Sequence, residues 1–298
     1  MVWLNCVFRL LKQCLTLSKP HYAMFVAGAS AAVGGQCFLS IITHVFGGVV
    51  RIPRIYQPLS LQSGQTVTLD AQATVHLTKV LRLRVGDELV VFNGEGGEYA
   101  ARVSAVERRA ASIEVGAFCA HELESPLPLV LLQGVSRGER MDYTVQKAVE
   151  LGVTHIVPVL TERTVVNLKG ERQQRRCEHW QAVVNSACEQ SGRNRVPTVA
   201  PVTPFATAVA AADEGLKLVL HHRAQTQLHN LSAPQGVVTL LIGPEGGLSA
   251  GEISAAEAAG FMPLRLGPRV LRTETAAVAA MAVLQWQWGD FAAGGERG

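Results

Sequence analysis

Two rhythms of apolar and polar positions divide the chain from residue 51 onward. Between 51 and 120 the apolar residues come in short runs heavy in Val and Ile: TVTL (66–69), ELVVF (88–92), YAARVSAV (99–106) and SIEV (112–115). Runs of this length and composition predict strands. Asn93-Gly94 with Gly96-Gly97 supplies the turn chemistry for a hairpin between two of them. AQATVHLTKVLRLR (71–84) sets Val75, Val80 and Leu83 among polar positions and predicts a short helix. HELESPLP (121–128), polar and doubly prolyl, reads as a linker. From Leu129 strands and helices alternate. LVLLQGV, HIVPVL (155–160), LKLVLHH (216–222), VVTLLIG (237–243) and MPLRL (262–266) read as buried strands. Between and after them come helices ending at Gly152, spanning 171–190, ending at Gly260 and spanning 274–288. Ser136 with Glu139, and Ser249 with Glu252, have capping-box spacing. The alternation predicts an α/β domain, a mostly parallel sheet with helices on both faces.

Composition adds little to this. At 298 residues and 48% hydrophobic the chain can bury the cores of two domains. The formal charge of +3 is accounted for by Arg9, Lys12 and Lys19, because residues 1–50 carry no acid. The rest balances, so any nucleic-acid binding must come from local clusters of cations. The cysteines at 6, 14, 37, 119, 177 and 188 include no C-x-x-C pair and no zinc-finger spacing, which points to free thiols in a reducing compartment and no metal. Ala23 to Val50 lacks charged side chains entirely and by itself resembles a membrane anchor. Its apolarity is shallow (AGASAAVGG), and the body that follows has a cytosolic character. The expectation is an upstream extension, residues 1–49, outside the functional fold, with a start codon misplaced from near Val50, and membrane attachment is not expected.

Four places could carry chemistry. IGPEGGLS (242–249) is glycine-rich and lies between a buried strand and a capped helix, where α/β sheets bind ligands and glycine lets them approach the backbone. It is neither a Walker motif nor a dinucleotide fingerprint, and spacing alone fits a tight turn equally well. LGPRVLRTETA (266–276) again joins strand to helix; Arg269 and Arg272 stand beside Glu274, with Thr273 as an N-cap in the plainer reading. In ACEQSGRNRVP (187–197), Arg193 and Arg195 follow a helix carrying Glu189 and suit either phosphate contact or solvent. Arg51, Arg54, Lys79, Arg82 and Arg84 give the small domain a cationic face, useful to RNA or merely solubilising.

Together these segments resemble the RsmE family of the SPOUT superfamily, enzymes that methylate N3 of a uridine in small-subunit ribosomal RNA. The likeness covers 51–291 and is carried by RIPRIY (51–56), HLTKVLRLRVGD (76–87), FNGEGGEYAA (92–101), KAVELGVTHIVPV (147–159), EQSGR (189–193), IGPEGGLSAGE (242–252) and LGPRVLRTETA (266–276). Residues 1–49 have no counterpart, and 221–236 match poorly. The resemblance implies a PUA-like β-barrel at 51–120, a linker at 121–128 and a trefoil-knotted SPOUT domain at 129–291. It further implies a cytoplasmic homodimer that uses S-adenosyl-L-methionine on 16S ribosomal RNA within the small subunit. Cofactor contacts then fall on Ile242, Gly243, Glu245, Gly246, Gly247, Leu266, Gly267, Leu271 and Arg272. Uracil N3 must lose a proton to act as a nucleophile, which makes Arg272 the anion stabiliser and Glu274 or Glu189 the base. RNA contacts are expected at Arg51, Arg54, Lys79, Arg82, Arg84, Arg193 and Arg195. A SPOUT methyltransferase for another RNA, or a non-catalytic ribosome-assembly RNA-binding protein, would carry the same fold.

Overall fold

The computed structural model describes residues 52–108, 110–166 and 170–291. The expectations for residues 1–49 and for Arg51 lie outside these described residues.

The smaller domain is a five-stranded sheet. Its strands are β1 (Arg54–Tyr56), β2 (Thr66–Thr68), β3 (Glu88–Phe92), β4 (Glu98–Val106) and β5 (Ala111–Cys119), in the order β1-β3-β4-β5-β2. All neighbours are antiparallel except β1 and β3. In β5, Ala111, Ile113 and Val115 are buried while Glu114 between them faces solvent, the period-two alternation of a half-buried strand. The expected helix forms as α1 (Ala71–Val75), capped by the Asp70 side chain, and then widens into a π-helical turn (His76–Val80) that buries Leu77 completely. Arg82 follows in left-handed backbone at φ 56°, uncommon for a non-glycine residue.

The larger domain carries β6 (Leu129–Gly134), β7 (Val153–Leu160), β8 (Thr198–Val199), β9 (Thr203–Pro204), β10 (Gly215–Leu220), β11 (Val237–Ile242) and β12 (Met262–Leu264). The order is β12-β10-β11-β6-β7-β8, with β9 also on β7, and every pairing is parallel. Neighbouring strand residues feed opposite faces. Leu131 and Leu240 join Met141, Val145, Trp180, Val184 and Met281 under α2 (Glu139–Glu150), α3 (Glu171–Ser191) and α6 (Thr273–Trp288). Leu132 and Leu241 join Phe205, Val209 and Ile253 under α4 (Phe205–Ala210) and α5 (Ala250–Ala258). Because both faces are covered, the central strands are continuously apolar, as the sequence pattern implied. From the edge strand β12 the chain returns to place α6 against α2 and β11, crossing back over the middle of the sheet.

Two local expectations change. Ser249 and Glu252 do form a reciprocal capping box on α5, but Ser136 and Glu139 do not: Gly138, at φ 54°, precedes α2, and the buried Ser136 hydroxyl donates instead to the Gly134 carbonyl. Residues 121–128 are no loose linker. The Gly97 N–H donates to Glu122, Glu124 pairs with Arg193, and the Ser125 hydroxyl donates to Gln285 in α6, so the segment straps both domains together.

Candidate active site

Ligands of open parallel sheets bind where loops leave the carboxyl ends of the strands. There a cavity of about 430 Å³ opens, within the size range of small-molecule sites. Leu220 ends β10 and His221 follows it, Ile242 ends β11 and 243–248 follow it, and Leu264 ends β12 and most of 265–274 follow it; Arg140 of α2 and Arg163 after β7 close the sides. All nine residues expected to touch a cofactor line this one cavity, as do Glu274 and Arg269. Gly247 and Gly267 sit at φ 68° and 69°, and no atom lies within 4 Å of where a Cβ would stand on either. No side chain therefore shields the backbone at these two edges of the cavity, so a ligand can lie close against it, although the Gly247 N–H is already donated to the Pro244 carbonyl.

The two loops are fastened from below. Thr273 does not cap α6, whose N-cap is Arg272 without a side-chain bond. Its buried hydroxyl donates to the Gly243 carbonyl at 2.7 Å and accepts from the Gln133 amide at 2.9 Å. Gln133, fully buried at the end of β6, also donates to the Gly134 carbonyl. Gly134 is just as constrained: a Cβ there would meet the Pro244 nitrogen at 2.4 Å. Thus the end of the central strand, the 242–249 loop and the start of α6 form one polar clip beneath the cavity.

Charge is arranged around Arg140. Its guanidinium lies 3.0 Å from Glu245 and 3.9 Å from Glu274. Burial pushes the Glu245 carboxyl up, but the N–H groups of Arg137 and of its own backbone, together with Arg140, outweigh it and hold the group below its ordinary 4.5. Arg163 donates to the Gly246 carbonyl at 3.0 Å. Burial first, then His222 and Arg223, lowers the His221 pKa, so this imidazole is neutral at physiological pH.

The remaining expected residues separate into three groups. Lys79, Arg82, Arg84 and Arg195 are exposed, as an RNA-facing role needs. Arg54 and Arg193 are not, and that expectation is corrected. Arg193 is 4% exposed, bonds Glu124 through two nitrogens, and donates to the carbonyls of Val149 and Val153 at 2.9 and 2.8 Å. Arg54 pairs with Glu98, donates to Asn194 at 2.6 Å and lies 4.9 Å over the Phe92 ring. Both guanidinium groups are turned to partners inside the protein, and the one Arg54 nitrogen without a partner, Nε, is itself buried, so neither side chain is presented to phosphate. Glu189 is likewise misplaced as a base within this chain's cavity: it accepts the Tyr56 N–H at 3.0 Å, faces His76, and is absent from the cavity lining. Sequence reasoning missed Arg140, Arg163, Arg265, His221, His222 and the clip partner Gln133. His221 and His222 were in reach, since they end a strand at the sheet edge where ligands bind; Arg140 has only its place at the start of a helix to mark it.

A PUA-like sheet module ahead of a parallel sheet whose carboxyl edge closes on a glycine-lined cavity defines the class: RNA methyltransferases of the SPOUT type. Family models agree, an RNA methyltransferase domain matching residues 123–285 and an RNA methyltransferase PUA domain matching 69–116. The chain is 36% identical to the ribosomal RNA small subunit methyltransferase E of Buchnera aphidicola from Schizaphis graminum, over 81% of this chain and 98% of the relative. Among solved structures it resembles the ribosomal RNA small subunit methyltransferase E of Neisseria gonorrhoeae bound to S-adenosyl methionine, at 42% identity and TM-score 0.76, over 80% of this chain and 99% of that one. A Legionella pneumophila protein described as a methyltransferase, with the cofactor SAM bound, matches at 41% identity and TM-score 0.79, over 81% and 100% of the two chains. The chain belongs to the ribosomal RNA small subunit methyltransferase E family.

Proposed function

We propose that this protein transfers a methyl group from S-adenosylmethionine to N3 of a specific uridine in 16S ribosomal RNA, as a cytoplasmic homodimer acting on the small subunit. The observation that carries the reading is the convergence of 242–248 and 264–274 on one cavity. The cavity suits the donor in its size and in the open space beside Gly247 and Gly267, where a nucleoside can lie close to the backbone. The Neisseria and Legionella relatives were solved with that donor bound.

When bound, S-adenosylmethionine supplies an electrophilic methyl group on a sulfonium that leaves as a neutral thioether. The protein must bring uracil N3 in line with it and remove the N3 proton. Arg272, exposed at the cavity edge, stabilises the uracil anion in this reading. Glu274, in the first turn at the positive end of α6 and 3.9 Å from Arg140, takes the proton or orients Arg272 in this reading. With Glu189 engaged elsewhere, Glu274 is the base of choice. Dimerisation has support in the exposed Val283 and Trp286 of α6 and Tyr143 of the adjoining α2, large apolar side chains on two packed helices beside the cavity.

The decisive experiment is mass spectrometry of 16S nucleosides from a strain lacking the gene, complemented with the wild type or with Arg272→Ala. Loss of one 3-methyluridine in the deletion, restored by the wild type only, is expected. An unchanged nucleoside profile would defeat the substrate assignment; restoration by Arg272→Ala would remove that residue from the chemistry.

A further inference from the structure

The cavity mouth carries more positive charge than a methyl donor can use. Five arginines line it: 140, 163, 265, 269 and 272. Among the described residues only Arg140 of these has carboxylate partners, and it takes both acids of the cavity, Glu245 and Glu274. Among the described residues no Asp or Glu lies within 4.0 Å of the other four guanidinium groups. S-adenosylmethionine bears a sulfonium, an ammonium and one carboxylate, a net single positive charge. It can satisfy at most one arginine and is repelled by the rest. Like charges gathered at a cleft raise the local concentration of an opposite charge, and here that must be a polyanion. Arg163 comes from the loop after β7, while Arg265 and Arg269 come from the loop after β12, so the cations flank the opening from opposite sides of the sheet centre. Arg163 and Arg269 are exposed and Arg265 half-buried.

We propose that Arg163, Arg265 and Arg269 form a phosphate-binding rim on the catalytic domain that grips the RNA backbone around the target base. The rim rests on the functional reading above and is separate from the Lys79–Arg82–Arg84 face of the smaller domain. It assigns a task to arginines that neither the donor nor the methyl transfer requires.

The test measures binding of a short uridine-containing single-stranded RNA over a series of KCl concentrations, and of S-adenosylmethionine by calorimetry, for the full chain. Each phosphate contact on a single strand contributes about 0.7 to the slope of log K against log salt. Arg265→Gln with Arg269→Gln is expected to flatten the slope by about 1.4 and weaken RNA binding at least tenfold at low salt, while donor affinity stays within twofold. Arg269→Lys, which keeps the charge, is expected to retain the wild-type slope. A wild-type slope in the double variant overturns the rim, as does a fall in donor affinity as large as the fall in RNA affinity. Failure of the wild type itself to bind the donor would count against the methyltransferase reading instead, and the RNA slope would still decide the rim.

Discussion

Replacing Thr273 by Val tests whether the clip beneath the cavity holds the loops that line it. The hydroxyl makes two bonds, donating to Gly243 at 2.7 Å and accepting from Gln133 at 2.9 Å, in a site only 6% exposed. Valine keeps the shape and loses both. The Gly243 carbonyl is then buried without a donor, which costs about 1–3 kcal/mol. The Gln133 amide keeps its bond to Gly134, but the Gln133 Oε1 is already without a partner, so the glutamine has no spare interaction to fall back on. We expect a stability loss of about 2–3 kcal/mol, read as a shift in the urea midpoint at unchanged slope. Gly243 belongs to the cavity wall, so half of that loss appearing as loop displacement would weaken donor binding about tenfold by calorimetry. Thr273→Ser keeps the hydroxyl and should retain most of the affinity. Equal losses for the Ser and Val variants would assign the effect to the methyl group and refute the clip.

Three further outcomes follow from the same geometry. Arg193→Met leaves Glu124 without its partner in a part-buried site and should cost about 3–5 kcal/mol of stability with no change in the RNA salt slope; a flattened slope would restore Arg193 as an RNA contact. For Glu189, burial raises the carboxyl pKa against the opposing pull of the Tyr56 N–H, His76 and Arg54, so the folded state binds its proton more tightly than the unfolded state. The charged form is then a cost above the folded pKa that disappears as pH falls through it; Glu189→Gln should abolish this pH dependence and still methylate, and a dead variant would return Glu189 to the mechanism. Gly134→Ala drives a Cβ against Pro244 and should remove donor binding, while wild-type affinity would show that the 242–249 loop can shift freely.

The order of elements was legible because burial on both faces of a parallel sheet writes continuous apolar runs, and the cavity loops were legible because glycines cluster where those runs end. The small strands β1, β8 and β9 left no run to read: at two or three residues each they are held by neighbours far away in sequence. The arginines mark the real limit. Arg54 and Arg193 look in sequence like Arg84 and Arg195, yet the first two are spent on partners 40 to 140 positions distant, and only the fold says so. The serine of the failed capping box makes the same point on a shorter scale. Its spacing was right, but a bare turn at Gly138 and a carbonyl three ångströms away offered it something better.

The strap at 121–128 also redraws where one autonomous folding unit stops. A polypeptide begun at Leu129 would start neatly on a strand, yet it would strand a guanidinium between two backbone carbonyls with its counter-charge cut away. Begun ahead of His121, the same polypeptide keeps that counter-charge and the carbonyl that Asn194 needs. Dissection of this protein should therefore treat the segment as common property: its Glu122 serves the first half and its Glu124 and Ser125 the second.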